Sequence, residues 1–349
     1  MAATHLHLLS AAEAARWIQS GRTSSEALVS ACLEQIQARE PELGAFTFLD
    51  PEHALAAARA RDAERLEGRS TGPLHGVPVG IKDIIDTADM PTERGSVLHA
   101  GRVPNEDAHV VARLRAAGAV ILGKTVTTEL AVFGPGKTRN PHDPARTPGG
   151  SSSGSAAAVA AELLPVALGS QTNGSTIRPA AFCGVLGYKP TRGLVSRHGM
   201  LTLSPTLDHV GWFARSIEDL ALLGEVLMGR DERDPATLNV ARLPLRETAA
   251  GEPPLAPRFA FIKTPHWLRT DAETQSAWSG LCEQLGDQVE ELELFPSALE
   301  AWGWHQTIME AELAYHLERE WRTGAERLTP LLRQQIERGR AISALDYQT

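Results

Sequence analysis

Residues 147–161, "TPGGSSSGSAAAVAA", join a glycine- and serine-rich loop directly to an alanine-rich helix. Glycine loses much conformational freedom on folding, and serine prefers helix caps and turns to helix interiors. Four hydroxyls nevertheless stand at this helix entrance, those of Ser151, Ser152, Ser153 and Ser155. Capping the helix needs only one of them, so the surplus makes this loop a candidate site for chemistry.

Short apolar runs bounded by glycine or proline lie on both sides of the loop. They are "HGVPVGIKD" (75–83), "AVILGKT" (119–125), "PVALGSQT" (165–172) and "CGVLGYKP" (183–190). Such runs are typical of strands buried on both faces of a sheet. Helical patterns such as "NEDAHVVARLRAAG" (105–118) and "GSAAAVAAELL" (154–164) separate several of them. The alternation predicts an α/β fold with a mixed or mostly parallel sheet covered on both faces.

Helix start signals divide the rest of the chain. Ser10 and Thr23 are each followed three residues later by glutamate, which predicts capping boxes at the first two helices. Asp50 before Pro51, and Ser216, predict two further helix starts. Two late strands are expected at "RFAFI" (258–262) and "VEELEL" (289–294), and helices from residue 298 onward. Since no repeat, linker or composition break divides the chain, we expect a single domain over residues 1–349.

Composition excludes several classes of function. The chain has 349 residues, 42% of them hydrophobic, and a net charge of −9, which does not provide the basic patch of a nucleic-acid-binding protein. Its three cysteines, Cys32, Cys183 and Cys282, are far apart and predict neither a disulfide framework nor a metal site. No signal peptide or membrane-length apolar run is apparent. We therefore expect a soluble, cytoplasmic protein that needs neither metal nor cofactor.

Two further positions are candidates for chemistry. The stretch "GSQTNGSTIRPAAFCG" (169–184) takes a buried strand into a tight turn over residues 172–174, with Ser175 at its tip. Consecutive backbone amides in such a turn can form an oxyanion hole, and Asn173 and Gly174 best tolerate left-handed conformations. Lys82 directly follows an apolar strand. A desolvated lysine loses its proton readily and can act as a general base.

Each position also has a plainer interpretation. The turn at Ser175 can be an ordinary strand end, and Lys82 can extend its ammonium to the surface. "GSSSG" (150–154) matches the G-x-S-x-G nucleophile elbow, but the polar, proline-rich segment before it cannot be the central strand that an elbow needs. The loop also lacks the Walker lysine of a phosphate-binding loop. A histidine triad has weaker support, since His142, His198 and His209 lie in loops without an obvious acidic partner.

Taken together, the motifs resemble the amidase signature family. The resemblance is dense over residues 1–230, from "HGVPVGIKDIIDT" through "TPGGSSSGSAAAVAA" and "GSQTNGSTIRPAAFCGVLGYKPTRG" to "LDHVGWFARSIEDLAL", and general beyond. It implies a single α/β/α sandwich around a large mixed, mostly parallel sheet. It also implies hydrolysis of amide bonds by a Ser–cis-Ser–Lys triad.

The resemblance assigns roles to individual residues. Ser175 takes the nucleophile's place, Ser151 that of a serine preceded by a cis peptide bond, and Lys82 that of the base. Ser152 matches a serine that supports the network by hydrogen bonding. The backbone amides expected to hold the oxyanion belong to Thr172, Asn173, Gly174 and Ser175.

Three departures from the family pattern stand out. Ser153 occupies a position that is usually glycine in the family, and so does Asn173. Arg178 lies three residues after Ser175, whereas tRNA-dependent amidotransferases of the same family have arginine two residues after the nucleophile. The shifted arginine is similar to that of malonamidase-like enzymes, where it holds a substrate carboxylate. A buried arginine that bridges local carbonyls or carboxylates is the alternative interpretation of Arg178.

The C-terminal region leaves the function open. Family members normally continue well past the equivalent of "ISALDYQT" (342–349), so the chain is expected to be a truncated or a naturally short member. We expect residues 1–70 to form N-terminal helices, 71–230 the signature core and 231–349 a C-terminal portion. The leading hypothesis is a stand-alone amidase for a small molecule, with a homodimer as the candidate assembly. The alternatives are the amidase component of a tRNA-dependent amidotransferase, working within a tRNA-charging complex, and a catalytically incomplete fragment.

Overall fold

Six strands form a central mixed sheet in the computed structural model, which describes residues 5–69 and 72–348. The strands are β1 (Phe46–Leu49), β2 (Pro78–Lys82), β3 (Val120–Thr125), β4 (Val166–Gln171), β5 (Leu186–Tyr188) and β6 (His209–Ala214). Their spatial order is β1-β3-β2-β4-β6-β5. Every residue of β2 and β3 is buried, as the apolar runs in the sequence predict.

Strand direction agrees with the predicted mixed, mostly parallel sheet. β2 is parallel to both β3 and β4, while β1 is antiparallel to β3, and β6 is antiparallel to β4 and β5. Four strands therefore point one way and two the other. Because parallel strands end at the same edge, the residues that follow β2 and β4 are brought close together.

Fourteen helices accompany the strands in the described part of the chain. They are α1 (Ala11–Gln19), α2 (Ser25–Leu43), α3 (Pro51–Leu66), α4 (His109–Ala116), α5 (Ser153–Ala160), α6 (Ile177–Cys183), α7 (Ile217–Leu227), α8 (Leu245–Ala250), α9 (Ala272–Leu285), α10 (Pro296–Leu299), α11 (Ala301–His316), α12 (Glu318–Gly324), α13 (Pro330–Ala341) and α14 (Ala344–Gln348). With helices packed on its strands, the sheet forms an α/β/α sandwich. No helix within residues 5–69 and 72–348 has the length and apolarity to cross a membrane.

Helix α5 lies directly against the sheet, where it contacts β2, β3, β4 and β6. Its small side chains allow this close approach, and residues from Ser153 to Val159 are buried. Gly154 is required here, because a Cβ at this position would stand 2.2 Å from Ala45 O and 2.3 Å from Val126 N. The sheet thus fixes the start of α5, and with it the Gly/Ser loop.

The predicted helix caps hold at three of four positions. Ser10, Asp50 and Ser216 each accept a backbone N–H at the start of α1, α3 and α7. The prediction of Thr23 as the cap of α2 is wrong by one residue. Ser24 is the cap, and its Oγ accepts the N–H of Ala27 at 3.0 Å.

The later part of the chain adds a second, two-stranded sheet. Its parallel strands, β7 (Phe259–Ile262) and β8 (Val289–Leu292), lie within the two stretches predicted as strands. Beyond them, α11 and α13 make extensive contact with each other. Gly339 of α13 lies so close to α11 that a Cβ would meet Glu310 O. The single-domain organisation over residues 1–349 stays a prediction.

Candidate active site

Strand β2 ends at Lys82, whose side chain is fully buried. Its Nζ lies 2.7 Å from Ser151 Oγ and 2.8 Å from Ser170 Oγ. Within the described residues no carboxylate forms an ion pair with this amine. Burial holds the pKa of Lys82 well below its ordinary value of 10.5, although the Asp208 charge acts in the opposite direction. The amine is thus suited to act as a base rather than as a surface cation.

The Gly/Ser loop places its first two serines beside β4. The Gly150–Ser151 peptide bond is cis, as the family resemblance implies. Ser152 Oγ accepts the N–H of Ser170 and donates to the Ser170 carbonyl, both at 3.2 Å. The N–H of Ser152 donates to the carbonyl of Ser175 at 3.4 Å. Ser152 therefore links the loop to both the end of β4 and the turn that follows it.

The other two serines anchor α5 to the sheet instead of capping it. No side chain caps the start of α5, so helix capping does not explain the cluster of hydroxyls. Ser155 Oγ donates to Leu168 O at 2.8 Å and lies 2.7 Å from Thr125 Oγ1. Ser153 is buried and its Oγ lies 3.5 Å from Val126 O, so a side chain fits where the family usually has glycine. The nearest strand before this loop, β3, ends at Thr125, which excludes a nucleophile elbow.

Ser175 lies in the turn between β4 and α6 and lines the same cavity as Ser151. Within the described chain its Oγ makes no hydrogen bond, and none joins it to Ser151 Oγ. Nucleophile and base are often loosely paired before substrate binds, and tighten in the complex. The structure thus brings Lys82 into contact with Ser151, and Ser175 lines the same cavity as Ser151.

The turn before Ser175 presents free backbone amides. In the described part of the chain, the N–H groups of residues 172–175 have no hydrogen-bond acceptor. The next two, those of Thr176 and Ile177, both donate to Gln171 Oε1 at 3.1 Å. The four free N–H groups, those of residues 172–175, belong to the residues predicted to form the oxyanion hole. The expected left-handed backbone is wrong, since neither Asn173 nor Gly174 has a positive φ.

A buried carboxylate holds this turn from behind. Asp208 Oδ1 accepts the Thr172 hydroxyl at 2.6 Å, and Oδ2 accepts the N–H groups of Leu203 and Ser204 at 2.8 and 2.9 Å. Burial raises the pKa of Asp208 above its ordinary value, and the hydrogen bonds oppose that rise. Because these partners lie apart in the chain, no spacing in the sequence reveals Asp208 as a positioning residue.

Helix α11 is tied to the same segment. Glu312 accepts the Thr206 hydroxyl at 2.6 Å, the Thr206 N–H at 3.2 Å and the Tyr347 hydroxyl at 2.7 Å. It also accepts the Ser204 hydroxyl. One short loop, residues 203–208, therefore connects the C-terminal helices to the turn that carries the free amides.

The cavity in front of Ser175 has a volume of about 270 Å³. Its walls are mainly apolar and come from several regions of the chain that are distant in sequence. They include Ala131, Val132, Phe133, Pro135, Phe182, Leu203, Met309 and Leu313. A cavity of this size and lining suits a small organic molecule with a few polar groups.

Arg178 brings a cation to the cavity wall. Its Nη2 donates to Asn173 Oδ1 at 2.8 Å, and the guanidinium lies 5.8 Å from the Phe133 ring centre. Partial burial lowers its pKa. No carboxylate of the described residues pairs with it, but the side-chain carbonyl of Asn173 does accept its N–H. The local carbonyl bridge and the substrate-carboxylate site therefore both stay predictions for Arg178.

The three histidines weighed in the sequence do not line this cavity in the described structure. His142 Nε2 lies 2.8 Å from Cys183 O, and His209 Nδ1 lies 2.7 Å from Leu207 O. His198 does have an acidic neighbour, Glu106, at 3.5 Å. Within residues 5–69 and 72–348, no cluster of three or more His, Cys, Asp or Glu side chains is arranged to hold a metal.

The family model described as Amidase matches residues 27–341. The chain belongs to the Amidase family. This amidase-family chain is 47% identical over 237 residues to a component of the glutamyl-tRNA(Gln) amidotransferase of Chloroflexus aurantiacus, and the match covers 66% of the chain and 49% of that relative. The chain thus spans about half the length of the curated relatives it matches.

Solved structures support the same family and fold. The native peptide amidase from Stenotrophomonas maltophilia matches with a TM-score of 0.82 and 33% identity, over 98% of this chain and 77% of the other. A protein from a study of a vestigial complex and the origins of an s-triazine catabolic enzyme matches with a TM-score of 0.88 and 32% identity, over 97% and 75%. The chain therefore resembles both amidotransferase components and peptide amidase, and the malonamidase-like subtype stays a prediction.

Proposed function

We propose that this chain hydrolyses the carboxamide bond of a small molecule through an acyl-enzyme on Ser175. The observation that carries the proposal is the buried Lys82 amine, 2.7 Å from Ser151 Oγ, at a cavity that Ser175 also lines. A neutral amine has a free electron pair that can accept a proton, whereas a protonated ammonium has none. Ser170 Oγ, at 2.8 Å, is a second partner that orients the amine.

The chemistry proceeds in two half-reactions. Lys82 takes a proton from Ser151, which takes one from Ser175 as that oxygen attacks the amide carbonyl. The free N–H groups of residues 172–175 stabilise the charge on the carbonyl oxygen. When the carbon–nitrogen bond breaks, Ser151 protonates the leaving amine and regains its proton from Lys82. Water then attacks the ester through the same relay, releasing the acid and restoring Ser175.

Arg178 supports a substrate that carries a carboxylate. It is a cation at the cavity wall. Its hydrogen-bond partner Asn173 has a neutral amide oxygen, which does not balance the charge of the guanidinium. Guanidinium and carboxylate form strong paired hydrogen bonds, more so where water is scarce. A small amide with an acidic group is therefore the substrate class we propose.

Ammonia release from two matched amides tests this substrate class. Succinamate carries a carboxylate, and 4-methylpentanamide has an isopropyl group in its place. We expect kcat/KM to be at least about 10-fold higher for succinamate, because a charged hydrogen-bond pair is lost in the other amide. Arg178→Met should remove this preference. The matched control is Arg192→Met, an exposed arginine outside the cavity, which should keep it.

The outcomes separate the proposals. Equal rates on both amides, or a preference that survives Arg178→Met, would reject the carboxylate while keeping the amidase. No ammonia from either amide, or from a wider panel of small amides, would favour a catalytically incomplete fragment.

An amidotransferase component is the second candidate, favoured by the 47% identity to the Chloroflexus aurantiacus relative. Against it stand the acidic net charge of −9 and the position of Arg178, three residues after Ser175. Co-purification with partner proteins, and amide hydrolysis only in their presence, would support this candidate over a stand-alone amidase.

The charge of Asp208 provides a test by pH. Asp208 raises the pKa of Lys82, opposing the larger effect of burial. Activity needs neutral Lys82, so it falls as the pH drops through that pKa. We expect Asp208→Asn to move the acidic limb of kcat/KM to lower pH. We also expect kcat to fall about 10- to 100-fold, since the turn is less well held.

Asp219→Asn is the matched control for this variant. Asp219 is also buried and also accepts two backbone N–H groups, those of Ala11 and Ala12 at 3.0 and 2.8 Å, but it does not act on Lys82. Both variants should lose stability, and only Asp208→Asn should displace the acidic limb. A limb that does not move in Asp208→Asn would contradict the assignment of Lys82 as the titrating base.

A further inference from the structure

Gln335 is a buried polar residue in the wall of the substrate cavity. Its side chain is 2% exposed, and its Oε1 has no hydrogen-bond partner within the described structure. Among the described residues of α13, Gln335 alone lines the cavity, together with the apolar side chains of Met309 and Leu313 of α11. An oxygen in such a place loses its bond to water and gains none from the protein.

The packing of α13 makes this position rigid. Gly339, one turn further along the helix, touches the backbone of α11 at Glu310. Arg338 pairs with the buried Glu310 carboxylate at distances between 2.6 and 3.1 Å. The helix is therefore fixed against α11, and Gln335 cannot simply turn out into solvent.

We infer that Gln335 is a specificity-determining residue whose Oε1 accepts an N–H from the substrate. Buried polar groups in folded proteins are nearly always paired, and one left unpaired at a ligand cavity points to a ligand as the partner. We assign the donor to a part of the substrate outside the scissile amide, which Lys82, Ser151 and Ser175 engage in the proposed mechanism. The substrate class is thus a small amide that carries a second N–H, amido or amino, in addition to the carboxylate proposed to face Arg178. This inference rests on the proposed amide hydrolysis.

Pairs of amides that differ by one N–H test the inference. N-acetylglycinamide is matched by 4-oxopentanamide, and N-acetyl-β-alaninamide by 5-oxohexanamide. In each pair a methylene replaces the N–H and the scissile carboxamide is the same. We expect the wild-type chain to favour the N–H member of at least one pair by about 10-fold or more in kcat/KM, because a site built to bind a donor rejects the analogue that lacks it.

Gln335→Met should bring this ratio close to one. Methionine has a similar length and no acceptor oxygen, so a general loss of activity would lower both members of a pair equally. The control is Gln334→Met on the same helix, since Gln334 is exposed and lies outside the cavity. Its ratio should equal that of the wild type. The melting temperature of Gln335→Met should not fall, because the protein itself gives that oxygen no partner.

The failures of the inference and of the proposed function are distinguishable. A wild-type ratio near one, or a ratio unchanged in Gln335→Met, overturns the role of Gln335 while leaving the amidase intact. A lower melting temperature with an unchanged ratio identifies Gln335 as purely structural. If the wild type releases no ammonia, ligand-observed NMR with Ser175→Ala still compares binding within each pair. Preferential binding of the N–H member supports the inference, and equal binding rejects it.

Discussion

Ser175→Ala is expected to lower kcat for carboxamide hydrolysis by about 10⁴-fold or more. The variant lacks the oxygen on which we propose that the acyl-enzyme forms, so in the proposed mechanism Lys82 and Ser151 have no nucleophile to activate. The fold should stay intact, because within the described residues Ser175 Oγ bonds to no other group. Ammonia release measures the loss, and thermal unfolding checks the fold.

A neighbouring serine provides the control. Ser153 is buried in the same region, but its hydroxyl lies only within a long 3.5 Å contact of Val126 O. Ser153→Ala should therefore keep most of the activity. A fluorophosphonate, which reacts with activated serines, should label Ser175 in the wild type and no serine in Ser175→Ala. Substantial activity in Ser175→Ala, or labelling of a different serine, would refute the assignment of the nucleophile.

Lys82→Met is expected to lower kcat/KM by about 10³-fold or more, because it removes the amine that we propose as the base for both serines. The same change should raise the free energy of unfolding near neutral pH. In the unfolded chain Lys82 is protonated, and in the folded chain burial disfavours the charge. Methionine fills a similar volume and has no charge to desolvate. Less activity with more stability is the expected combination.

The pH dependence fixes the sign of the stability effect. The folded-state pKa of Lys82 lies well below 10.5, so wild-type stability falls as the pH drops from 10.5 toward that pKa. Lys82→Met lacks this component. The stability difference between variant and wild type should therefore be largest near neutral pH and shrink toward pH 10.5. Urea unfolding over this range measures it, and a difference independent of pH would mean that Lys82 is charged in the folded protein.

Lys124 is the matched control for Lys82. It is also fully buried, and burial lowers its pKa to about 8. Its Nζ lies 2.6 Å from Ile85 O and 2.6 Å from Thr92 Oγ1, and the residue does not line the cavity. Lys124→Met should change stability with pH but leave most of the turnover. Equal losses of activity in both variants would indicate that replacing any buried lysine lowers activity, and that Lys82 has no specific catalytic role.

Local sequence signals predicted the parts of the fold that consist of long, apolar runs. β2, β3 and β4 were predictable because both of their faces are buried, so their residues are almost all apolar or small. β1 and β6 were not assigned as strands. β1 has four residues at the edge of the sheet, and β6 begins with a histidine and contains a glycine. Their strand conformation depends on neighbours that are distant in the chain.

The candidate site shows the same division. Lys82, Ser151 and Ser175 stand in compact motifs with unusual residues at or just after strand ends. The structure brings Lys82 into contact with Ser151, and Ser151 and Ser175 line one cavity. Ser170 was missed, although it is the second-last residue of β4, the strand beside β2, and its Oγ lies 2.8 Å from Lys82 Nζ. Asp208, and Gln335 in its proposed role, lie on segments that are distant in the chain from these motifs. No spacing rule brings such residues together, because the packing of loops and helices decides their positions.

The hydrogen bonds of Glu312 connect the cavity wall on α11 to the loop, residues 203–208, that holds the turn with the free amides. Helix α11 supplies Met309 and Leu313 to the cavity wall, and Glu312 binds that helix to the loop whose Asp208 holds the turn with the free amides. A mutation that widens the cavity from α11 therefore also acts on this loop. We expect such mutations to change turnover together with selectivity, unless residues 203–208 adjust with them.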